Sequence, residues 1–350
     1  MALTSSGALS LNEIHVEAGG DTGTTAGLND TDIRDLISKS SGATMAFNEW
    51  YGAASVIPTG LIAGGEGAAK TNTIQKITIP TTGNSTDFGD LSSARGNYGN
   101  GAGSSTRALY FGGQAAGGNV DTIEFSVFAT AGNVTDFGNL TVTSGFNTAL
   151  SSSTRAVSAL SEIPGTARSD VLEFVTMASA GNSTDFGNLL AGRTASSASF
   201  SSPTRGIFAG GWDTTAPNGY DVIEFITIAS AGNSTDFGNL SFAGLYQGGA
   251  SNSTRGLIAG AYNSGFTKQA TVEFITIATA GNVTDFGDLS AAAVAPACAT
   301  SSTRMVAALG ETVTMDYFTI SSAGNSTDFG DSLAAVGLSA SCSNVHGGLA

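Results

Sequence analysis

The sequence predicts an all-β protein in which a four-stranded sheet is repeated around a ring, preceded by a short segment with helices. Three observations support this fold class. The phrase Thr-Asp-Phe-Gly-Asp/Asn occurs six times, the composition is rich in Gly, Ser and Thr but poor in charge, and each copy contains a largely apolar run. Such a composition is typical of turn-rich β structure rather than of helices.

The repeat has a period near fifty residues. Each copy of the phrase follows a Gly-Asn pair, and the glycines of these pairs are 49, 49, 51, 49 and 43 residues apart. These glycines are Gly83, Gly132, Gly181, Gly232, Gly281 and Gly324. A period of about 50 residues is typical of kelch-type propeller blades. The sequence therefore predicts a six-bladed, kelch-like β-propeller.

One copy contains the four strands expected of a blade. Small residues at 246–251 predict strand A, and residues 255–260, 271–277 and 284–289 predict strands B, C and D. Strand C is apolar at nearly every position, which suits a strand covered on both faces by neighbouring blades. The small residues of strand A suit the crowded centre of a ring.

The chain ends in a partial repeat. Residues 332–341 match a strand A, whereas the first copy starts near Ile57 and has its first strand, a strand B, at residues 60–65. Two fragments that complete one blade leave no exposed sheet edge where they meet. We therefore expect the C-terminal segment to close a propeller that spans residues 55–350.

Residues 1–54 do not belong to the repeat. Ser10 and Glu13 have the spacing of a capping box, and Asn29 precedes a second apolar stretch with acidic residues in its first turn. These signals predict two short helices. A segment with so few apolar groups makes a marginal independent domain. We expect a partner protein to order it, or further copies of the chain, which would make a homo-oligomer.

Composition restricts the partners. The formal net charge is −15 and only 12% of residues are charged. Nucleic-acid phosphates require clustered Lys and Arg, so no nucleic-acid partner is predicted. The sequence has no apolar run long enough to insert into a membrane. Cys298 and Cys342 predict two buried, reduced thiols, with one disulfide as the alternative.

The sequence predicts no catalytic residue, cofactor or metal site, and hence no enzyme. His15 and His346 are the two histidines of the chain, and nucleophile-elbow, phosphate-loop and Cys-x-x-Cys motifs are absent. The Asp-Phe-Gly-Asp/Asn phrase leaves one alternative open. Its oxygens at positions i and i+3 could share a calcium ion, or its Asp could accept backbone N–H groups in a turn.

Arginine and an acidic residue each recur once per copy, at the start of strand B and inside strand C. The predicted structural pairs are Arg107 with Glu124, Arg155 with Glu173, Arg205 with Glu224, Arg255 with Glu273, and Arg304 with Asp316. The first copy lacks the arginine and has Gln75 in place of the acid. If the arginine and the acid are partners, both should be lost together, since a buried charge without its partner is costly. His346 lies at the arginine's place in the terminal fragment and is expected to substitute for it.

The loops differ between the two faces of the predicted propeller. The A–B and C–D turns are nearly identical among copies, whereas the B–C and D–A loops vary and carry aromatic residues. These are Trp212, Tyr220, Tyr262 and Phe266 in B–C loops, and Tyr98, Phe146 and Tyr246 in D–A loops. Binding loops diversify on a constant scaffold. We predict that the B–C and D–A loops form a recognition surface, called the variable face below; the alternative is that their aromatics only cover the blades.

Three phrases near the N-terminus carry a resemblance to a known group of proteins. They are Ser-Leu-Asn-Glu-Ile-His-Val-Glu-Ala-Gly-Gly at 10–20, Asp-Ile-Arg-Asp-Leu-Ile at 32–37 and Ala-Phe-Asn-Glu-Trp-Tyr-Gly at 46–52. Together they resemble a leader of bacteriophage virion structural and tail-appendage proteins, and the repeats resemble those of phage particle proteins. The resemblance implies a tail or other appendage of the virion as the location. It implies that residues 1–54 bind other virion proteins and that the propeller binds a host surface glycan or protein during adsorption. A purely structural component packed against other virion proteins is the alternative.

Overall fold

The computed structural model describes residues 3, 11–19, 30–37, 56–96, 100–165, 168–193, 198–212 and 219–349. The chain is all-β with 4% helix, and its sheets have a propeller-like arrangement. It divides into two compact parts, Met1–Ile57 and Pro58–Ala350, a boundary three residues beyond the one expected from the sequence. Within the described residues, no helix has the length and apolar character needed to cross a bilayer.

The N-terminal part contains two short helices, α1 (Leu11–Glu17) and α2 (Thr31–Asp35). Their buried side chains Ile14 and Ile33 form one apolar cluster with Leu3. The first helix ends at Gly19, whose φ of +97° is a conformation that glycine adopts without strain. Both predicted helices are therefore present. The predicted caps, Ser10 and Asn29, lie outside the described residues.

All strands among the described residues lie in the second part. Those of the first half are β1 (Thr59–Ala63), β2 (Thr73–Thr78), β3 (Thr86–Asp90), β4 (Arg95–Gly96), β5 (Ala102–Gly103), β6 (Arg107–Phe111), β7 (Gln114–Ala115), β8 (Gly118–Val127), β9 (Thr135–Ser144), β10 (Thr148–Ser151), β11 (Arg155–Ala159), β12 (Ser169–Thr176) and β13 (Thr184–Arg193).

Those of the second half are β14 (Ala198–Ser201), β15 (Arg205–Ala209), β16 (Tyr220–Thr227), β17 (Thr235–Leu245), β18 (Gly248–Ser251), β19 (Arg255–Asn263), β20 (Lys268–Thr276), β21 (Thr284–Ala293), β22 (Ala297–Thr300), β23 (Arg304–Ala308), β24 (Thr314–Thr319), β25 (Thr327–Asp331) and β26 (Ala340–Ser343). A 3-10 turn follows at Gly347–Leu349.

Each sequence repeat forms the antiparallel order A-B-C-D. Repeat 2 consists of β5, β6, β8 and β9, and repeats 3 to 6 consist of β10–β13, β14–β17, β18–β21 and β22–β25. Every residue of β10, β14, β18 and β22 is buried. These short A strands contact one another in succession, and β26 contacts β5. The small residues of strand A therefore occupy the centre, as predicted.

The C-terminal strand completes the first repeat. Strand β26 pairs with β1, with Gly60 opposite Ser343 and Ala63 opposite Ala340, and β1–β2–β3 continue the sheet. The prediction that the C-terminal fragment supplies the missing strand A is confirmed. The strand lies at 340–343, later than the 332–341 stretch that resembles it, because the D–A connection occupies the earlier residues.

Apolar clusters lie between consecutive sheets. Ile207 and Phe237 of repeat 4 pack with Ile258 and Ile275 of repeat 5 in one such cluster. The last and first repeats are joined in the same way, through a cluster that contains Val306, Met315 and Phe329 with Ile62 and Ile77. Burial of strand C on both faces, predicted from its apolar run, follows from this packing.

Candidate functional site

The repeated Gly-Asn and Asp-Phe-Gly phrases fasten neighbouring repeats together. The Gly281 N–H donates to the Phe237 carbonyl (2.7 Å), and Asn282 Oδ1 accepts from the Asn239 N–H (3.0 Å). The equivalent bonds occur at the other junctions, including the one between the last and first repeats, where Asn84 Oδ1 accepts from the Asp331 N–H (3.0 Å). These residues recur because each copy has to bind the next.

The calcium alternative gains no support at these turns. Asp285 and Asp288 are exposed, and the side chain that accepts the backbone N–H is the Asn of the neighbouring repeat rather than an Asp. Among the described residues, no group of three or more His, Cys, Asp or Glu side chains is placed to hold a metal ion.

The predicted arginine–carboxylate pairs are wrong. Arg255 lies opposite Thr276 and Glu273 lies opposite Ile258, so the two residues are three positions apart in the register. The Arg255 guanidinium instead lies 4.5 Å from the Phe274 ring centroid and donates to the Ile320 carbonyl of the next repeat (2.8 Å).

The other arginines of this set make the same two contacts. Arg107, Arg155, Arg205 and Arg304 stack on Phe125, Phe174, Phe225 and Tyr317, and donate to Met177, Ile228, Ile277 and Ile79. In the first repeat the register places Thr59 at the arginine position and Lys76 at the aromatic position. The aromatic partner is therefore lost together with the arginine, as is the acid, which Gln75 replaces.

The acidic residues of strand C bind the preceding repeat. Glu273 accepts from the Ser241 N–H (3.3 Å), and Asp316 accepts from the Ser290 N–H (2.7 Å) and the Ser326 hydroxyl (2.8 Å). Glu173 likewise accepts from Thr141 of the preceding repeat. Ser183 and Ser326 are additional hydroxyl donors from the acid's own repeat. Burial raises the pKa of Glu273, and its hydrogen bonds from Ser241 act in the opposite direction.

Two of the acids form buried ion pairs with arginines from the D–A side, which the sequence did not indicate as partners. Arg95 binds Glu124 and Arg193 binds Glu224, and all four side chains are at most 2% exposed. Burial lowers the pKa of Arg193 to about 10.

Hydroxyl groups link the inner strands near the centre. Ser201 Oγ donates to the Ser151 carbonyl and Ser251 Oγ to the Ser201 carbonyl (both 2.7 Å), and Thr300 and Ser343 continue the series. Gly103 stands at the equivalent position of repeat 2 and has no hydroxyl.

His346 lies beside Gly103, so it does not replace the strand B arginine. His346 Nε2 is 2.8 Å from the Gly103 carbonyl oxygen, and its Nδ1 accepts from the Gly348 N–H (3.1 Å). Nε2 therefore carries the proton. Burial lowers the pKa of His346, with the Gly103 hydrogen bond acting in the opposite direction.

Both cysteines are free and buried, as predicted. Burial raises the pKa of Cys298 to about 12 and also raises that of Cys342. These thiols are therefore poor nucleophiles at neutral pH.

The B–C and D–A loops share a face, as the strand order requires. Gly145 and Glu162 exchange backbone hydrogen bonds (3.0 and 3.1 Å), joining a D–A loop to the B–C loop of the next repeat. Leu245 pairs with Tyr262 and Gly337 with Glu66 in the same manner.

The predicted aromatic residues have different environments on this face. The rings of Tyr262 and Phe266 are 6.1 Å apart, and Phe266 is 52% exposed. Tyr220 stacks on the Arg193 guanidinium at 5.3 Å, which gives it a structural role. Trp212 is partly buried. Tyr98 lies outside the described residues.

Phe146 and Tyr246 lie near the centre of the face. Each stands two residues before an inner strand, and their rings are 6.2 Å apart. Both have positive φ, +57° and +60°, and so does Ala295 at the equivalent place. The strained backbone is thus a property of the D–A loop, which directs whichever side chain it carries toward the end of the inner strands.

Superposing the repeats by register shows a second variable position, seven residues after the start of strand B. Its occupants are Glu66, Gln114, Glu162, Trp212, Tyr262 and Glu311. Sequence reasoning found Trp212 and Tyr262 but missed the three glutamates and the glutamine, because it selected the aromatic residues of these loops. The constant spacing of seven residues from the strand B arginine is the signal that could have found them in repeats 2 to 6.

Comparison with known proteins identifies no family for this chain. No known protein-family description matches the chain, and no match is found among curated proteins.

Proposed function

We propose that this protein is a bacteriophage virion component, part of a tail fibre or other surface appendage, whose propeller binds a glycan or protein on the host surface. Residues 1–54 would attach it to other virion proteins, and further copies of the chain would assemble with it. The proposal assigns no enzymatic reaction, cofactor or membrane insertion to the chain.

A six-bladed, kelch-like propeller is the finer architecture that we propose. The six sequence copies, the A-B-C-D order of each repeat and the last-to-first bonds of Asn84 and β26 support it. A closed ring has no free sheet edges, which suits a protein exposed on the outside of a particle.

One observation carries the binding proposal. Two loop positions carry different residues in different repeats: the position two residues before the inner strand, and the position seven residues after the start of strand B. Both lie on the same face, and the repeats are otherwise nearly identical. Partly exposed aromatic residues occupy these positions in several repeats, including Phe146, Tyr246 and Tyr262. Aromatic side chains give a large contact area at low cost in conformational entropy. Variation confined to one face is expected of a recognition surface.

The alternative is a purely structural role, in which the variable face packs against another virion protein. Apolar side chains such as Phe266, which is 52% exposed, would serve either role.

Glycan-array binding of the full chain tests the proposal. Phe266→Ala and Tyr262→Ala remove side chains from the variable face and are expected to lower glycan binding at least ~10-fold, the loss of a typical binding anchor. Asn282→Ala, on the opposite face, removes the bond from Asn239 N–H and is expected to lower the melting temperature but not binding.

Normal glycan and host-cell binding by both loop variants would contradict recognition through this face. Immunogold labelling of intact particles would then use two antibodies, one against the variable face and one against another part of the propeller. Labelling by the second antibody alone would show that the variable face is buried, and the structural role would replace the proposal.

A further inference from the structure

The structure assigns to the centre of the variable face a binding site for a glycan that carries a free amino group. This inference rests on the proposed function, because it names the class of glycan recognised by the same face.

Three side chains from alternate repeats lie within electrostatic range of Tyr246. Glu66, Glu162 and Tyr262 stand at the same loop position in repeats 1, 3 and 5. Each is paired through its backbone with the residue before a D–A loop position of positive φ, as Glu162 pairs with Gly145 beside Phe146. The backbone therefore places them close to the end of the inner strands.

The electrostatics of the site agree with this placement. The pKa of Tyr246 is raised by burial first, and then by the nearby Glu162, Tyr262 and Glu66. Two carboxylates thus act on one tyrosine from different repeats. The whole chain has a net charge of −15, which adds to the negative potential.

The carboxylates of Glu66 and Glu162 make no hydrogen bond or ion pair through their side chains to the described residues. Neighbouring basic groups are engaged elsewhere. Lys70 Nζ donates to Gln114 Oε1 (2.8 Å), and Lys268 binds Glu311. The two glutamates are therefore left for a cationic ligand, while the equivalent Gln114 and Glu311 are occupied.

The aromatic pair supplies the second half of the recognition. Phe146 and Tyr246 share a backbone conformation with Ala295, and their ring centroids are 6.2 Å apart. Aromatic faces attract ammonium groups and also cover the apolar faces of sugar rings. Carboxylates repel uronic and sialic acids, so an amino sugar fits this combination and an acidic glycan does not.

Titration calorimetry of the full chain with a β-1,4 glucosamine tetramer tests the site, with the N-acetylated tetramer as the matched uncharged ligand. We expect the free-amine tetramer to bind at least ten-fold more tightly at physiological salt. Glu162→Gln and Glu66→Gln should each weaken it at least five-fold, with unchanged thermal unfolding. Asp285→Asn removes the same charge from an exposed carboxylate outside the site and should leave binding unchanged.

The remaining outcomes would each overturn the inference. Equal binding of both tetramers would show a glycan site without amine recognition, and the proposed function would survive. Equal losses of affinity for the free-amine tetramer in Asp285→Asn and Glu162→Gln would show that the tetramer is attracted by the net charge and not by this site. Tetralysine that binds as tightly, with the same dependence on Glu162, would assign the site to protein amines. The proposed function itself fails separately, if no glycan or host cell binds through the variable face.

Discussion

At the scale of single residues, the arginine of strand B and the acid of strand C each join two sheets. Arginine from strand B reaches the following repeat, and the acid from strand C reaches the preceding one. Arg255 and Glu273 therefore stabilise two different junctions rather than one shared pair. Their energies should be independent, since residues without shared partners contribute additively.

Replacement of Arg255 tests this assignment. Arg255→Met removes a charged hydrogen bond to the Ile320 carbonyl and is expected to cost about 1.5–3 kcal/mol in free energy of unfolding. In double-mutant cycles measured by urea unfolding, Arg255→Met should couple to Phe274→Leu by about 0.5–1 kcal/mol. Coupling to Glu273→Gln should stay within about 0.5 kcal/mol of zero. A larger coupling with Glu273 than with Phe274 would restore the pairing expected from the sequence.

The sequence could predict that Arg255 has a partner but not which one. The first copy lacks the recurring Arg, Phe and Glu at once, so their joint loss does not show which two of them are in contact. Thr59, Lys76 and Gln75 stand in their places. Only the strand register separates a residue directly across the sheet from one three positions away.

At the scale of structural elements, strand D contains a β-bulge that explains the Asp-Phe-Gly phrase. Val272 lies opposite Gly287 but Glu273 lies opposite Asp285, so Phe286 is the additional residue. The bulge places Phe286 in the core, 2% exposed, and gives Gly287 a φ of +147°. Bulges of this kind redirect side chains and favour glycine. The strands themselves followed from periodicity, but their ends near the variable face extended beyond the predicted bounds.

A glycine exchange tests the role of the bulge. Gly287→Ala is expected to destabilise the protein by about 1–3 kcal/mol or more, since its φ is unfavourable for alanine. A Cβ atom there would also lie inside the contact distance of the Gly324 carbonyl in the next repeat. Gly281→Ala is the matched control, because a Cβ at Gly281 meets nothing within 4 Å.

The measurement is chemical unfolding of both variants. Equal stability of Gly287→Ala and Gly281→Ala would mean that the close approach between repeats is relaxed in solution and that the phrase recurs for another reason.

At the scale of the whole molecule, both chain ends of the repeat region contribute to one A–B turn. Asn344 Oδ1 accepts from the Thr59 N–H (2.8 Å), as Asn252 Oδ1 accepts from the Arg255 N–H (2.8 Å) within a continuous turn. The split repeat was visible in the sequence, because its two fragments have the pattern of different strands. His346 beside Gly103 was not, since no periodic pattern signals a residue that fills the place of a missing hydroxyl.

Truncation of the C-terminus tests how much stability this closure provides. Deleting 332–350 removes β26, leaves the hydrogen-bonding edge of β1 unpaired and exposes Leu61, which is fully buried. We expect the melting temperature to fall by at least about 5 °C. Each kcal/mol lost shifts it by roughly 1–2 °C in a chain of this size, and loss of the β26 hydrogen bonds and of Leu61 burial removes several kcal/mol. Aggregation should follow from the free strand edge, measurable by light scattering. Deleting only 344–350 keeps β26 but removes Asn344 and His346, so the melting temperature should fall less. Melting of the 332–350 deletion at the temperature of the full chain would show that β26 is not needed to hold the first repeat in place.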